Sequence, residues 1–187
     1  MIRNFVFNAM LAENSLSRLS EQGISVGGSK ATPPTVSVDE IGFSPRILYE
    51  ATKMSSVFAA FFCIENAARE LISERLLERK GTDWWEQSVP SKIRVAVEKL
   101  KEREEKNRYH APRSSALIGY TMFGHLAQII ITNWDDFSDL LPDQAWIMSR
   151  FNDLEMSRNI IMHTGTLPQM EVERIGSIVR DWIRQVG

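Results

Sequence analysis

The sequence predicts an all-α protein, a helical bundle built on one long helix. A helical pattern runs without a breaker from Pro45 to Gly81. In most other segments apolar residues recur at intervals of three and four, which is the helical spacing. The segment 125–132 contains the β-branched run IIIT and is the only credible strand, but its long apolar context and its helical neighbours favour a helix.

The N-terminal residues are predicted to form a region of their own. Apolar residues recur at helical intervals over 5–22, so we expect a first helix there. The segment 23–43 is rich in Gly, Ser, Thr and Pro, which predicts an irregular connector. Because too little chain precedes it to fold alone, we assign 1–43 to a helix and connector, and 44–187 to one helical domain.

The long helix has a start signal and a stop signal. Ser44 is a good N-cap, and Pro45 loses no hydrogen bond at the first helical position. Gly81 suits the C-terminal end. The middle of the helix is apolar on more than one face, which predicts a central element packed on several sides. Cys63 lies in this apolar run, and we expect it to be buried.

The next segment combines an aromatic turn with a charged helix. Trp84 and Trp85 are adjacent, and we expect them to pin the turn to the core, although indoles can also stack on bases. The segment 91–108 has a thin apolar stripe and a surplus of positive charge. A solvated face with i,i+4 pairs is the simpler interpretation, and a surface for RNA phosphates is the alternative.

Three further helices complete the prediction. After a loop at 109–120, an apolar helix is expected over 121–133. Asp143 is expected to cap a helix over 144–163. Thr166 is expected to cap the last helix, with a proline in its first turn.

Composition narrows the function classes. The chain has 187 residues, of which 43% are hydrophobic, enough for one domain with a core. The net charge of -2 excludes a globally cationic protein but allows a local basic groove. No apolar run is expected to approach the ~18–20 residues that cross a membrane. A single cysteine and the lack of a signal-peptide pattern favour a cytoplasmic protein.

Arg158 is out of place on the helix at 144–163. At about 100° per residue it falls about 40° from Leu154, inside the apolar stripe that also contains Ile147 and Phe151. An unpaired buried guanidinium costs several kcal/mol. Arg158 must therefore meet a carboxylate, backbone carbonyls, a water-filled cleft or an anionic ligand. A plain buried ion pair remains the alternative to a functional site.

His163 and Asn159 are the other candidates on this helix. They lie one turn apart, so Asn159 can hold the imidazole in one tautomer. Arg158 and His163 are about 140° apart on a straight helix and would not reach one phosphate. They can cooperate if Gly165 ends the helix near His163, or if two copies of the helix face each other across a twofold axis. A cap-side histidine without function is the alternative.

Two polar residues on the long helix are supporting candidates. Glu65 and Asn66 interrupt its apolar middle, and Glu65 is a candidate partner for Arg158, against an ordinary role at the edge of the core. No two histidines have ligand spacing, and no phosphate-binding loop is present in the sequence. We therefore expect no metal and no cofactor.

The segment RNIIMH resembles the R-x4-6-H motif of the HEPN superfamily. The resemblance extends over about 48–185 and includes FFCIENAARELI, the Trp-Trp turn, the segment NWDDF and a last helix that ends VRDWIRQ. It implies an α-helical bundle, commonly a homodimer with the motif helices at the interface. Residues 1–43 match no part of the family pattern.

The resemblance also implies a function on RNA. Many members are metal-independent endoribonucleases in toxin–antitoxin, phage-defence or RNA-processing systems, whereas others are non-catalytic modules that bind RNA, nucleotide or a protein partner. By this resemblance the catalytic residues are Arg158, Asn159 and His163. The expected partners are RNA, a second copy of the chain and an antitoxin or other protein, with no membrane.

Overall fold

The computed structural model describes residues 42–107 and 109–187. Every regular element in this part of the chain is helical, which confirms the all-α prediction. The helix predicted at 5–22 and almost all of the connector at 23–43 lie outside the described residues, so those predictions stay predictions.

The elements follow one another with short connections, apart from the segment between α3 and the 3-10 helix. In chain order they are α1 (Pro45–Lys80), α2 (Trp84–Ser88), α3 (Ser91–Glu105), a 3-10 helix (Leu117–Tyr120), α4 (Phe123–Thr132), α5 (Trp134–Phe137), α6 (Gln144–Met162) and α7 (Gln169–Val186). The region predicted as a loop at 109–120 thus contains a short 3-10 helix.

The predicted ends of α1 are confirmed. The backbone N–H of Ile47 donates to the Ser44 hydroxyl oxygen over 3.5 Å, and Pro45 is the first helical residue. Gly81 follows the helix with a φ of 77°, a conformation that favours glycine. These local signals explain why one helix runs for 36 residues.

The core lies between α1 and the helices α4, α6 and α7. The inner stripe of α1, which includes Phe61, Ala68 and Ile72, is buried against them. At its centre the ring of Phe151 in α6 lies 5.4 Å from the rings of Phe123 and Trp182. The turn after α1 joins this core through Trp85, as predicted for the adjacent indoles.

The outer face of α1 corrects two predictions. Phe58 and Phe62 are exposed, so in the described part of the chain only one stripe of the helix is buried. Cys63 is exposed, because it lies about 200° around the helix from the buried Phe61. By length and composition α1 could also cross a membrane, contrary to our expectation, although a core helix meets the same criterion.

Of the two caps predicted for the last two helices, one is confirmed and the other is wrong. The Asp143 carboxylate accepts from the N–H of Trp146 over 2.7 Å, so this predicted cap is confirmed. The cap predicted at Thr166 is wrong, because Pro168 has an extended ψ of 154° and α7 begins only at Gln169. Leu167 lies between Thr166 and Pro168 and is buried. Its burial positions the chain just before α7.

Candidate functional site

An open cavity of about 710 Å³ lies between α1, the end of α3, the segment after α3 and α6. Three arginines and two glutamates contribute to its wall: Arg69, Arg113, Arg158, Glu65 and Glu104. The charged side chains of the wall therefore have a surplus of one positive charge, which favours an anionic ligand over a cationic one.

Glu65 lies at the centre of the charged cluster. Its Oε1 is 2.6 Å from Nη2 of Arg69, and its Oε2 is 3.8 Å from Nε of Arg158. Burial raises the pKa of the Glu65 carboxyl, and the charge of Glu155 adds to this. The nearby arginines act in the opposite direction and favour the carboxylate.

Arg69 is held rigidly beside Glu65. It also donates to the backbone oxygen of Thr121 over 2.7 Å and to the side-chain oxygen of Asn66 over 3.1 Å. Burial lowers the pKa of its guanidinium. The predicted supporting residues Glu65 and Asn66 thus both line the cavity and both contact Arg69.

Arg158 has looser contacts than Arg69. Its Nη1 is 3.5 Å from Oδ1 of Asn159, and its Nε faces Glu65 at a distance longer than a hydrogen bond. The side chain is 28% exposed and lines the cavity. The anomaly on the helical wheel therefore corresponds to an arginine that meets both a carboxylate and an open cavity.

His163 occupies the end of α6. The helix stops at Met162, and His163 is the first non-helical residue, with φ and ψ of -99° and 24°. The N–H of Thr164 donates to Ile161 over 2.9 Å and that of Gly165 to Ile160 over 2.8 Å, which is the Schellman pattern. The left-handed position belongs to Thr164, with a φ of 62°.

A glycine is required at position 165, because Ile160 lies too close for any side chain there. A side chain at this position would meet the Ile160 side chain at 2.6 Å and its backbone oxygen at 2.9 Å. The helix therefore ends near His163, as one of the two sequence hypotheses requires. Even so, His163 and Asn159 are exposed and do not line the cavity that Arg158 lines.

His163 and Asn159 belong instead to an outer face of α6. Asn159 and Ile160 follow Met156 after three and four residues, and His163 follows them after four and three, so the four residues share this face. Met156 and Ile160 are 68% and 41% exposed. An apolar pair thus flanks the two polar motif residues on the surface.

Several cavity residues were missed by the sequence analysis. Arg113 and His110 come from the segment between α3 and the 3-10 helix, and no local pattern marks them. Phe58 and Phe62 form an aromatic wall on the outer part of α1. Their i,i+4 spacing on the apolar helix is the signal that marks them in the sequence, but the same spacing is typical of core packing.

A second polar cluster lies behind the cavity, at the start of α4. The Glu155 carboxylate accepts from the N–H of Gly124 over 2.5 Å, where the helix dipole favours negative charge. Burial lowers the pKa of the nearby His125, although the charge of Glu155 acts against this shift. Glu155 thus links α6 to the start of α4.

Potential metal ligands are scattered over the described ranges 42–107 and 109–187. Within them no three His, Cys, Asp or Glu side chains are grouped so that they could hold a metal ion. The cavity wall that contains His110 holds three arginines, two glutamates and two asparagine amides.

The fold and the site define a helical bundle whose cavity is suited to an anion. A family model described as Swt1-like HEPN matches residues 59–187. The chain therefore belongs to the Swt1-like HEPN family, and the resemblance to the HEPN superfamily is confirmed. This membership indicates an RNA-related function. No curated protein and no solved structure matches the chain.

Proposed function

We propose that the protein is a metal-independent endoribonuclease of the HEPN type that acts as a homodimer. The observation that carries the proposal is the placement of Arg158, which reaches an open cavity with a surplus of positive charge. A guanidinium in that position suits a phosphate, because its planar donors match two phosphate oxygens.

RNA supplies its own nucleophile, so the protein needs only to move protons and stabilise charge. The 2′-oxygen attacks the adjacent phosphorus as a general base removes its proton, and the bond to the 5′-oxygen breaks as that oxygen is protonated. The products are a 2′,3′-cyclic phosphate and a 5′-hydroxyl. His163 is the proposed acid or base, Arg158 stabilises the phosphorane and Asn159 orients the imidazole.

Glu65 has a positioning role in this mechanism. Its Oε2 faces Nε of Arg158, so it restrains one edge of the guanidinium. At the other end of the group Nη1 is 3.5 Å from Oδ1 of Asn159, a long contact that a phosphate oxygen would replace. Because Glu65 is buried and held by Arg69, it can orient Arg158 from the wall of the cavity.

The dimer is supported by the outer face of α6. The exposed Met156 and Ile160 flank Asn159 and His163, and a second copy related by a twofold axis would bury them. The proposal requires that this arrangement also place His163 of one protomer at the cavity that Arg158 of its partner lines. A site shared in this way would bring together two residues that are separated within one chain.

The second candidate is a non-catalytic module that binds RNA, nucleotide or a protein partner. It is favoured by the position of His163 outside the cavity within a single chain. Such a protein would keep the arginine-lined cavity as a binding site and lack the acid and base.

The two candidates are separated by an RNA-cleavage assay in EDTA. For the endoribonuclease we expect cleavage with 2′,3′-cyclic phosphate ends. Arg158→Ala and His163→Ala should each lower the rate by at least about 100-fold, the range for loss of a positioned donor or a proton-transfer group. The readout is the length and end chemistry of the fragments.

Arg180→Ala is the matched control, because Arg180 is exposed on α7 and does not line the cavity. Cleavage that survives both site substitutions would overturn the assignment of the site. RNA binding without cleavage by the wild-type protein would instead favour the non-catalytic module.

A further inference from the structure

The cavity has an aromatic wall that the proposed chemistry does not use. Phe58 and Phe62 lie one turn apart on α1, and they are 45% and 61% exposed. Exposing two phenyl rings to water is unfavourable, because apolar surface gains free energy when it leaves water. In a cavity whose other side is charged, this wall suits a flat ligand with an apolar face.

Arg113 is a cationic group of the cavity that comes from the segment between α3 and the 3-10 helix. Its Nε and Nη2 are 2.6 Å and 2.5 Å from Oε1 of Glu104, and its guanidinium lies 5.5 Å from the ring centre of Tyr120. These contacts hold the group in place while its side chain stays 41% exposed. It is therefore preorganised to bind an anion from solution.

Asn66 is less available to a ligand than its position suggests. Its Nδ2 donates to the backbone oxygen of Phe62 over 2.8 Å, and its Oδ1 accepts from Arg69 over 3.1 Å. The amide beside the aromatic wall is thus already engaged through both of its polar atoms. A ring on this wall would be bound by stacking more than by hydrogen bonds to its edge.

We propose that this cavity is a subsite for one unstacked nucleotide of single-stranded RNA, with its base on Phe62 and its phosphate shared by Arg113 and Arg158. The inference rests on the proposed function and adds a substrate class and two residues to it. The cavity volume of about 710 Å³ lies within the ~300–1,000 Å³ of typical ligand sites.

The subsite selects against double-stranded RNA. Bases inside an A-form helix are stacked and paired, so they cannot reach the phenyl ring at the cavity wall. Stacking on an aromatic ring also tolerates any base, because all bases have a π face. We therefore expect single-strand preference with little sequence preference from this subsite.

The test is equilibrium binding of a fluorescent 2′-O-methyl oligoribonucleotide, which cannot be cleaved because its 2′-oxygen is blocked. We expect the single strand to bind more tightly than the matching duplex. Phe62→Ala should weaken binding of the single strand by about 5- to 100-fold, the effect of losing one base–aromatic stack, and Phe62→Trp should preserve it. Arg113→Gln should weaken binding and lower the salt dependence by about one phosphate contact.

Tyr49→Ala is the matched control, since Tyr49 is a 68% exposed aromatic residue on the same helix and does not line the cavity. Circular dichroism establishes that each variant is folded. The proposal is overturned if Phe62→Ala binds as tightly as Tyr49→Ala, or if duplex and single strand bind equally well.

It is also overturned if Phe62→Ala lowers the molecular mass in solution and leaves the RNA affinity unchanged, because a second copy of the chain would then cover this wall. Failure of the nucleotide-subsite proposal is distinguishable from failure of the proposed endoribonuclease function. Cleavage by the wild type that depends on Arg158 and His163 would keep the endoribonuclease assignment, even with no effect of Phe62.

Discussion

Glu65 connects the stability of the fold to the geometry of the site. It is buried, yet it contacts Arg69 within hydrogen-bond distance and faces Arg158 more loosely. Burial raises its pKa above the ordinary value of 4.5. The folded protein therefore holds the Glu65 proton more tightly than the unfolded chain does.

The sign of this shift predicts a pH dependence for Glu65→Gln. The contribution of Glu65 to stability is fully present below about pH 4.5 and is lost as the pH rises through its pKa in the folded protein. We expect the melting temperature of the wild type minus that of Glu65→Gln to fall as the pH rises from about 4 to 7. One proton limits the slope to about 1.4 kcal/mol per pH unit.

Thermal unfolding monitored by circular dichroism across this range provides the measurement. Glu70→Gln serves as the control, because Glu70 is an exposed glutamate on the same helix and does not line the cavity. A difference that stays constant or rises with pH would contradict the direction of the Glu65 shift.

At the residue scale the helical wheel predicted one part of the site and not the other. Arg158 could be identified because a charged residue inside an apolar stripe breaks a periodic pattern. Arg113 could not be identified in this way, since it comes from an irregular segment whose position depends on its ion pair with Glu104. Tertiary contacts of this kind leave no local pattern in the sequence.

At the scale of elements, helix ends were predictable wherever the signal was local. Ser44 and Asp143 accept hydrogen bonds from the first turns of their own helices, so neighbouring residues determine those caps. The start of α7 depends instead on the burial of Leu167, whose N–H lies 3.4 Å from the sulfur of Met54. A contact across 113 positions cannot be read from a cap pattern near Thr166.

The end of α6 stores strain beside the motif. Thr164 is β-branched and adopts a φ of 62°, a conformation in which L-residues lose roughly 1–2 kcal/mol. Asparagine tolerates this conformation better. We therefore expect Thr164→Asn to stabilise the protein by about 1 kcal/mol, and to raise the melting temperature by about 2–4 °C for a domain of this size.

Thr166→Asn is the control for this measurement, because Thr166 is exposed and does not have a positive φ. The Thr164 hydroxyl donates to the backbone oxygen of His163 over 2.6 Å, and asparagine would remove that contact. A lower melting temperature for Thr164→Asn would mean that this hydrogen bond outweighs the strain.

At the scale of the whole molecule, the cavity and the exposed face of α6 divide the motif. Arg158 lines the cavity, whereas Asn159 and His163 share the outer face with Met156 and Ile160. In the proposed twofold dimer, each composite site would take its arginine from one protomer and its histidine from the partner. This division makes the dimer testable by mixing inactive variants.

We expect Arg158→Ala chains and His163→Ala chains, each inactive alone, to recover activity after they are mixed and exchanged. A mixed dimer contains one site with both residues intact and one site with neither. Half of the dimers are mixed at random exchange, so about a quarter of the wild-type rate should return. The measurement is RNA cleavage in EDTA, together with the mass of the wild type in solution, expected at twice the 21.4 kDa of one chain.

Met156→Glu and Val95→Glu complete this experiment. Met156 and Val95 are 68% and 69% exposed, but only Met156 lies on the face that carries His163. A charge buried at the interface should dissociate the dimer and abolish the recovery for Met156→Glu, whereas Val95→Glu should behave as the wild type. Mixing that restores no activity to the two site variants would mean that the arginine and the histidine act within one chain.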